Sequence, residues 1–266
     1  MIKASEIQAA AREAGVRDSQ IEKDYILSWI LQGIANHKIL STRIVFKGGT
    51  VLKKVYFEDY RFSEDLDFTL LEETTNEQIY SWFKEAFEYI REEANISLEI
   101  VDDNEHDDGG INFYVSYIGP MGGLRANKRI KIDIARNEKL EFAPVLRPAI
   151  TKYSDSSPHQ LLCYPLEEII VEKLRAVMQR MQARDYYDIW YLLEVHEVEP
   201  EFYVTEFRNK CVSKKLKPED FYKKLAERIP SYKGRWETSL ADQIHDLPEF
   251  AKVEREVQRG LRKFKP

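Results

Sequence analysis

Apolar residues follow two different periods along this chain. Residues 5–36 repeat them at helical spacing, which predicts two amphipathic helices, and residues 74–93 predict a third. Between residues 97 and 135, apolar and polar residues alternate in three runs, the pattern of strands with one buried face. Helical spacing returns after residue 164. This order predicts an α/β (α+β) fold, in which a mixed sheet has N-terminal helices and a helical C-terminal half.

A strand, a pair of glycines and a helix follow one another near Gly48. The apolar run 44–46 predicts a short buried strand, and residues 51–55 resume helical spacing after Gly49 and Thr50. Glycines let backbone N–H groups approach a phosphate closely, and the helix dipole favours the negative charge. The pattern therefore predicts a phosphate-binding turn, with a purely structural turn as the alternative interpretation.

Acidic residues alternate with apolar ones in two predicted strands. Asp65 and Asp67 flank a leucine, so an extended chain places both carboxylates on one face, and Asp133 lies between two isoleucines. Aspartate is unfavourable in a strand, and neighbouring carboxylates repel each other unless a cation lies between them. Mg²⁺ and Mn²⁺ prefer such oxygen ligands. Metal-dependent chemistry on a nucleotide is therefore predicted, with exposed surface acids as the alternative.

Charged residues also occur within the predicted C-terminal helices. Lys173 lies on a broad apolar helix face, where its stem can lead the ammonium out to solvent. Asp185 and Asp188 stand three residues apart, on adjacent turns of one helix, and Asp185 is also a candidate helix cap. All three are candidates for a site as well as for ordinary surface roles.

Three segments are predicted to lie at the surface or to lack regular structure. Residues 22–25 are a charged part of an amphipathic helix, which predicts a surface position. Residues 102–110 are acidic and end in glycine, which predicts an exposed turn. Residues 136–160 contain prolines and predict an irregular passage between two halves. The predicted domains are therefore residues 1–160 and residues 161–266.

Composition and charge limit the classes of function. The chain has 266 residues, 43% of them hydrophobic, and no stretch approaches the roughly 20 apolar residues of a membrane span. Its N-terminus lacks the apolar block of a secretory signal, and Cys163 and Cys211 predict reduced thiols in a cytoplasmic protein. A net charge of −6 argues against a general nucleic-acid coat but allows one local basic groove.

Two groups of basic residues are candidates for such a groove. One immediately precedes Asp133, and the other lies in the C-terminal half. The first group is Arg125, Lys128, Arg129 and Lys131, and the second is Lys210, Lys214, Lys215 and Lys217. Each group can equally be a solvated face of the protein.

Four short motifs occur in an order that resembles one known family. They are GGTVLKK from Gly48, RFSEDLDF from Arg61, EKLRA from Glu172 and RDYYDIWYL from Arg184. Together they resemble the AbiEii/MenT-type nucleotidyltransferase toxins of type IV toxin–antitoxin systems, members of the polymerase β-like nucleotidyltransferase superfamily. The segment EKDY from Glu22 resembles a further signature of this family. The resemblance spans roughly residues 20–195.

The resemblance implies an enzyme that transfers a nucleotidyl group from an NTP to an acceptor hydroxyl. In MenT-type relatives the acceptor is a tRNA 3′ end, and the toxin is paired with an antitoxin encoded nearby. Asp65 and Asp67 would hold one metal ion, Mg²⁺ or Mn²⁺, and Asp133 would assist a second. The remaining residues that the resemblance assigns to nucleotide binding or catalysis are Gly48, Gly49, Thr50, Lys54, Ser63, Lys173, Asp185 and Asp188.

Two other functions fit part of the same pattern. A small cationic acceptor, as in aminoglycoside-modifying members of the superfamily, would suit an acidic chain. A non-catalytic NTP-binding interaction protein is the other candidate, but the set of Asp65, Asp67 and Asp133 argues against it, because a pure binder gains nothing from paired acids.

Overall fold

The chain divides into two compact units. The computed structural model describes residues 1–105, 109–123 and 128–266. The first unit comprises Met1–Glu138 and Pro144–Tyr164, and the second comprises Lys139–Ala143 and Pro165–Pro266. The second unit thus begins beyond the boundary predicted at residue 160, and it also takes up a short segment of the connection.

Two helices open the first unit, as predicted: α1 (Ala4–Ala14) and α2 (Asp18–Asn36). Most of the α2 surface is buried, including the side chains of Glu22 and Asp24. The predicted surface position of residues 22–25 is therefore wrong. Buried acids require partners, and those of Glu22 and Asp24 are lysines from distant segments, described below.

The strands of the first unit form one mixed sheet, which confirms the predicted fold class. They are β1 (Ile44–Lys47), β2 (Leu66–Leu70), β3 (Ser97–Glu105), β4 (Ile111–Ile118), β5 (Arg129–Ala135), β6 (Val145–Pro148) and β7 (Gln160–Cys163). Within the described residues their spatial order is β3-β4-β5-β2-β1-β7-β6. β2 runs parallel to β5 and β1 runs parallel to β7, whereas all other neighbouring pairs are antiparallel.

One face of the sheet is apolar and packs against helix α5 (Asn76–Ala94). Phe113 of β4 makes an edge contact with Phe83 of α5, with 5.1 Å between the ring centroids. Thr75 caps the start of this helix, and its hydroxyl accepts the backbone N–H of Gln78 in a capping box. Because side chains alternate along a strand, the aspartates of β2 and β5 project from the opposite face.

Both segments predicted to lack regular structure contain strand residues. β3 continues to Glu105, so the turn predicted for residues 102–110 is wrong over its first part, and residues 106–108 lie outside the described residues. β6 lies within the stretch predicted to be irregular and pairs antiparallel with β7, which begins at the last residue of that stretch, Gln160. β3 and β6 are the two edges of the sheet, and most of their residues from Val101 and from Leu146 onward are exposed, so neither shows a clear alternation of buried and exposed positions.

Helical segments lie on both sides of β1. The short helix α3 (Leu40–Arg43) leads into the strand, and α4 (Gly48–Val51) begins directly after it. The helix continues as a wider π-helical turn over Leu52–Tyr56, closed by the N–H of Phe57, which donates to the Leu52 carbonyl at 2.7 Å. The strand–glycine–helix arrangement predicted near Gly48 is therefore confirmed.

The second unit is helical, as predicted. Its helices are α6 (Leu166–Ala176), α7 (Ala183–Trp190), α8 (Val204–Ser213), α9 (Phe221–Leu240) and α10 (Phe250–Gly260). Aromatic rings fill its core: Tyr186 stacks on Tyr232 at 5.1 Å, and Phe207 meets Phe221 edge-on at 5.4 Å. None of the helices in the described residues is long and apolar enough to cross a membrane.

A buried ion pair fixes the short connecting segment within the second unit. The Glu168 carboxylate accepts the backbone N–H groups of Glu141 and Phe142, each at 2.9 Å. Lys210 lies 2.6 Å from Glu168, and its ammonium donates to the Lys139 carbonyl at 2.7 Å. Lys210 is only 1% exposed. Lys210 therefore has a structural role and is not part of an exposed basic groove, unlike the prediction for the second basic group.

Candidate active site

Glycine shapes the turn that follows β1. Gly48 has a φ of +80°, and a Cβ atom at this position would lie 2.3 Å from Asp67 Oδ2. A side chain here would therefore combine backbone strain with a steric overlap. Antiparallel pairing of β1 with β2 places Lys47 opposite Asp67, which explains why the turn and the carboxylate are adjacent. The glycine motif and the acidic motif thus belong to one site.

The hydroxyl of Thr50 ties this turn to the segment that precedes β2. It lies 2.5 Å from the carbonyl oxygen of Asp65 and 2.7 Å from the hydroxyl oxygen of Ser63. Thr50 is 1% exposed and Ser63 is 6% exposed. Both side chains therefore hold the glycine turn against the acidic strand. Binding of a phosphate by Gly48, Gly49 and Thr50 stays a prediction.

Strand pairing places acidic residues in one row across the sheet. Asp67 of β2 pairs with Asp133 of β5, and Asp65 lies immediately before β2 begins. Neighbouring strands are about 5 Å apart, so Asp67 and Asp133 are close enough to share a cation. Lys47 and Asn112 continue the row on the adjacent strands. Sequence reasoning missed these two, whose only signal is a polar residue at the outward position of an apolar strand.

A lysine lies among these carboxylates. Lys131 stands two residues before Asp133 on the same face of β5, and its Nζ lies 2.8 Å from Asp133 Oδ2. Burial alone would lower the pKa of Lys131. The hydrogen bond and charge of Asp133, together with the charges of Asp65 and Asp67, outweigh burial and raise it. The sequence groups Lys131 with a basic groove, but the structure places it in the acidic row.

The donor chemistry of the row suits a divalent cation. Carboxylate oxygens are the ligands that Mg²⁺ and Mn²⁺ prefer, and the Lys131 ammonium is a monovalent stand-in for such an ion. Among the residues that the structure describes, no three His, Cys, Asp or Glu side chains are placed as a ready ligand group. The carboxylates of Asp65, Asp67 and Asp133 are therefore suitable ligands for a divalent cation. The acidic row is, however, arranged around the Lys131 ammonium.

A second set of hydrogen bonds supports the sheet next to this row. Lys47 forms an ion pair with Glu138, whose carboxylate also accepts the hydroxyls of Thr69 at 2.9 Å and Tyr164 at 3.2 Å. The Thr69 and Tyr164 oxygens are themselves 2.6 Å apart. Because Glu138 neutralises Lys47, the lysine is held beside the row without cancelling the charge of Asp67.

Lys54, predicted to add positive charge for a nucleotide, lies in a buried ion pair. Its Nζ is 2.7 Å from Asp24 Oδ2, 2.8 Å from Ser28 Oγ and 3.0 Å from the Asp24 carbonyl oxygen. These contacts use all three ammonium protons. Burial lowers the pKa of Lys54, although Asp24 opposes the shift. The structure therefore gives Lys54 a partner in α2, and its predicted contact with nucleotide has no support from this geometry.

The first basic group is partly neutralised. Lys128 lies 2.6 Å from Glu22 Oε2, and Oε1 of the same buried carboxylate accepts the N–H of Met121 at 2.8 Å. Arg129 forms an ion pair with Asp102. Arg125 lies outside the described residues. Lys128 is therefore needed to balance a buried acid, and Arg129 shares its charge with an exposed one.

A second cluster of predicted site residues lies in the second unit. Lys173 of α6 places its Nζ 2.7 Å from Asp185 Oδ1 and 2.6 Å from Asp188 Oδ2, both on α7. Asp188 is fully buried, and Lys173 is 6% exposed. The ammonium therefore does not extend to solvent, and the snorkelling interpretation is wrong. Asp185 forms no helix cap, since Gln182 precedes α7 without a side-chain cap bond.

Arg180 completes this cluster. Its Nε lies 2.6 Å from Asp185 Oδ2, and its second terminal nitrogen lies 3.0 Å from Oδ1. Burial alone would raise the pKa of Asp185, but the charges of Lys173 and Arg180 lower it below its usual range. Sequence reasoning missed Arg180, because an arginine in a polar connection carries no periodic signal. The cluster contains two cations and two carboxylates, so the charges of the buried Lys173, Asp185 and Asp188 are balanced by the exposed Arg180.

Comparison with known families gives one match. The model of the nucleotidyl transferase AbiEii toxin family, described as a type IV toxin–antitoxin system, matches residues 29–261. This range includes both the acidic row and the Lys173 cluster, and it extends well beyond the last motif recognised in the sequence. A search of curated proteins gives no match.

Two solved structures resemble the chain in fold. MenT4, a nucleotidyltransferase toxin from Mycobacterium tuberculosis, has a TM-score of 0.63 at 18% identity, covering 98% of this chain and 88% of its own. JHP933 from Helicobacter pylori has a TM-score of 0.62 at 18% identity, with 93% and 92% covered. At this identity the likeness concerns the fold alone. With the family match over most of its length, the chain belongs to the AbiEii nucleotidyltransferase toxins of type IV toxin–antitoxin systems.

Proposed function

We propose that this nucleotidyltransferase is a cytoplasmic, metal-dependent toxin that transfers a nucleotidyl group from an NTP to the 3′ end of a tRNA. Its antitoxin would be encoded nearby. The observation that carries the proposal is the close approach of the Asp67 side chain to Gly48, which leaves no room for a Cβ atom and joins a helix-starting glycine turn to a row of carboxylates. A phosphate cradle beside hard oxygen ligands is the combination that a metal–triphosphate substrate requires.

The proposed roles follow from this arrangement. Backbone N–H groups of the turn at Gly48 and Gly49 bind phosphate, because the turn opens a helix. Asp65, Asp67 and Asp133 would hold the divalent ions, which neutralise the triphosphate and lower the pKa of the attacking hydroxyl when bound. Such a reaction depends on positioning and charge more than on covalent catalysis.

We also propose that Lys173, Asp185 and Asp188 serve the reaction. Support comes from the burial of their charges, because a buried ion cluster is a weak source of stability and is often retained for a functional reason. The family motif assigns the same residues. Arg180 would then act by positioning Asp185 through its two hydrogen bonds.

The tRNA acceptor rests on the resemblance to MenT-type toxins and on local basic charge. Arg125 comes before β5, the strand that bears Asp133, and Arg129 is the first residue of β5, so they are the proposed phosphate contacts of the acceptor. Lys128 is excluded from this role, since its ammonium balances the buried Glu22. Lys54 is likewise omitted from the proposed nucleotide contacts, because its ammonium forms an ion pair with Asp24 and donates a hydrogen bond to Ser28.

The test is incorporation of labelled nucleotide by the purified chain. Each of the four NTPs is supplied with Mg²⁺ or Mn²⁺ and with total RNA, purified tRNA or an aminoglycoside as acceptor. We expect label to enter tRNA, and the Asp67→Asn variant to lose at least about 100-fold in rate, the scale for removing one preorganised charged group. The matched control is Asp59→Asn, which removes one negative charge from an exposed turn.

Three results would each overturn part of this proposal. Label on the aminoglycoside alone would establish the small-molecule reaction in place of the tRNA reaction. NTP binding without transfer to any acceptor would support a non-catalytic binder. Wild-type rates in Asp67→Asn, with normal folding by circular dichroism, would show that the acidic row does not bind the metal.

A further inference from the structure

The acidic row of the first unit contains its own cation. Lys131 and Asp133 lie on the same face of β5, and their side chains meet at 2.8 Å. The carboxylates of Asp65 and Asp67 also act on this ammonium, and Asp67 pairs with Asp133 across the two strands. One lysine therefore sits within the field of all three acids that the proposed function assigns to a metal.

An ammonium suits this position for the same reasons as a metal ion. It is a compact point charge that carries three donors and has no preferred plane, so it can face several carboxylates at once. Without a cation, the like charges of neighbouring aspartates on one sheet face would repel each other. Lys131 supplies one positive charge to this row, whereas a divalent ion would supply two.

The Lys131 ammonium is partly exposed, so it can move away from Asp133. The Lys131 side chain is 32% exposed and that of Asp133 is 28% exposed, so the pair lies at the surface of the row. Breaking a partly exposed pair costs less than breaking a buried one, because water replaces the lost contact. Lys210 and Lys54 differ in this respect, since their side chains are 1% and 6% exposed and their ion pairs belong to the core.

We propose that Lys131 is a built-in competitor of the divalent cation, which holds the acidic row together in the metal-free protein and must move off Asp133 when the metal binds. The inference rests on the proposed metal site. Lys131 thereby weakens metal binding by the free protein. It also leaves a mobile ammonium beside the site at the moment when an anionic triphosphate arrives. Binding of metal without nucleotide is disfavoured, and binding of the two together is favoured.

Metal affinity, measured without turnover, tests this role. Binding of Mn²⁺ to the full chain is measured by titration calorimetry for the wild type and for Lys131→Met, which keeps the stem and removes the charge. We expect Lys131→Met to bind Mn²⁺ about tenfold more tightly, because no cation has to be displaced. Without metal, the melting temperature of Lys131→Met should be lower than that of the wild type. At saturating Mn²⁺ the two melting temperatures should be equal, since binding to the folded state alone stabilises it.

Two further variants make the result specific. Lys152→Met removes the charge of a 41% exposed lysine that pairs with Glu58, so it controls for net charge and should bind Mn²⁺ like the wild type. Lys131→Met combined with Asp67→Asn should lose the gain in affinity. A gain that survives in this double variant would locate the ion elsewhere and overturn the inference.

The possible outcomes separate this inference from the proposed function. Equal or weaker Mn²⁺ binding by Lys131→Met, with the wild type binding measurably, overturns the competitor role and leaves the metal site intact. Absence of Mn²⁺ binding by every variant, with and without a non-hydrolysable NTP analogue, overturns the metal site and the inference with it. Tighter binding that depends on Asp67 supports both.

Discussion

At the scale of single residues, Lys173 neutralises two buried carboxylates. Lys173→Met keeps the apolar stem but leaves the fully buried Asp188 without this ammonium, and we expect the free energy of unfolding to fall by about 3 kcal/mol. Asp185 is less affected, because Arg180 also contacts it. Urea denaturation of the wild type and the variant measures the difference.

A second substitution distinguishes folding from catalysis in this cluster. Lys173→Met with Asp188→Asn removes one charge of each sign, so most of the lost stability should return. If the cluster serves the reaction, this double variant folds like the wild type and still loses nucleotidyl transfer. Wild-type turnover by the folded double variant would assign the cluster to structure alone.

Lys53 makes stability depend on pH in the alkaline range. Burial lowers the pKa of Lys53 to about 8, while its ammonium donates to the Glu58 carbonyl at 2.8 Å and lies over the Phe62 ring. In the unfolded chain a lysine titrates near 10.4. Between these values the unfolded state binds more protons, so the contribution of Lys53 to stability rises with pH through this window. Below pH 8 the cost of its buried charge is fully present.

This sign gives a measurable difference. The free energy of unfolding of the wild type minus that of Lys53→Met should increase by about 1 to 2 kcal/mol between pH 7.5 and pH 10. Chemical denaturation at several pH values provides both quantities. Lys84→Met, which removes an exposed lysine charge from α5, is the matched control. A constant or falling difference for Lys53 would contradict the assignment.

At the scale of elements, the turn between β1 and α4 depends on the missing side chain of Gly48. Gly48→Ala should lower the free energy of unfolding by about 2 kcal/mol or more, because it combines a positive φ with a Cβ 2.3 Å from Asp67 Oδ2. Adding Asp67→Ala should recover only the steric part. Thermal denaturation of the two single variants and the double variant measures the coupling.

The matched control is a glycine in an unstrained element. Gly234 lies within α9, and a Cβ there would meet no atom within 4 Å. Gly234→Ala should therefore raise the free energy of unfolding by about 0.5 to 1 kcal/mol, since alanine restricts the unfolded chain and favours helix. Equal effects at Gly48 and Gly234 would show that the contact with Asp67 does not constrain the turn.

At the scale of the whole molecule, an acidic chain is proposed to bind a polyanion through a few basic residues. The net charge is −6, so any affinity for RNA must come from local contacts and should decrease as salt increases. We expect Arg125→Ala with Arg129→Ala to raise the KM for tRNA. The same double variant should flatten the dependence of log affinity on log salt by roughly 0.7 to 0.9 per lost contact. Steady-state rates at several salt concentrations measure both effects.

The control for this prediction comes from the other basic group. Lys214→Ala with Lys215→Ala removes two exposed charges near the end of α8 and should leave the salt slope unchanged. A flatter slope in this control alone would place the RNA contacts in the second unit. Parallel, shallow slopes for all three proteins would argue against electrostatic binding of RNA.

Sequence alone predicted the elements that depend on local periodicity. The alternation around Asp67 and Asp133 identified two strands, and helical spacing identified α5 and the helices of the second unit. These patterns are local because an element buries one face of its own sequence. The edge strands β3 and β6 were missed or shortened, since an exposed strand needs no apolar face.

Only the tertiary structure decided which charges meet. Motif order pointed to Asp65, Asp67, Asp133 and the Lys173 cluster, but the sequence could not give the partners Lys131 and Arg180. It also predicted the surface for Glu22 and a nucleotide contact for Lys54, both of which form buried ion pairs. The partner of a charged side chain depends on burial and on residues that are distant in the chain, and neither produces a periodic pattern in the sequence.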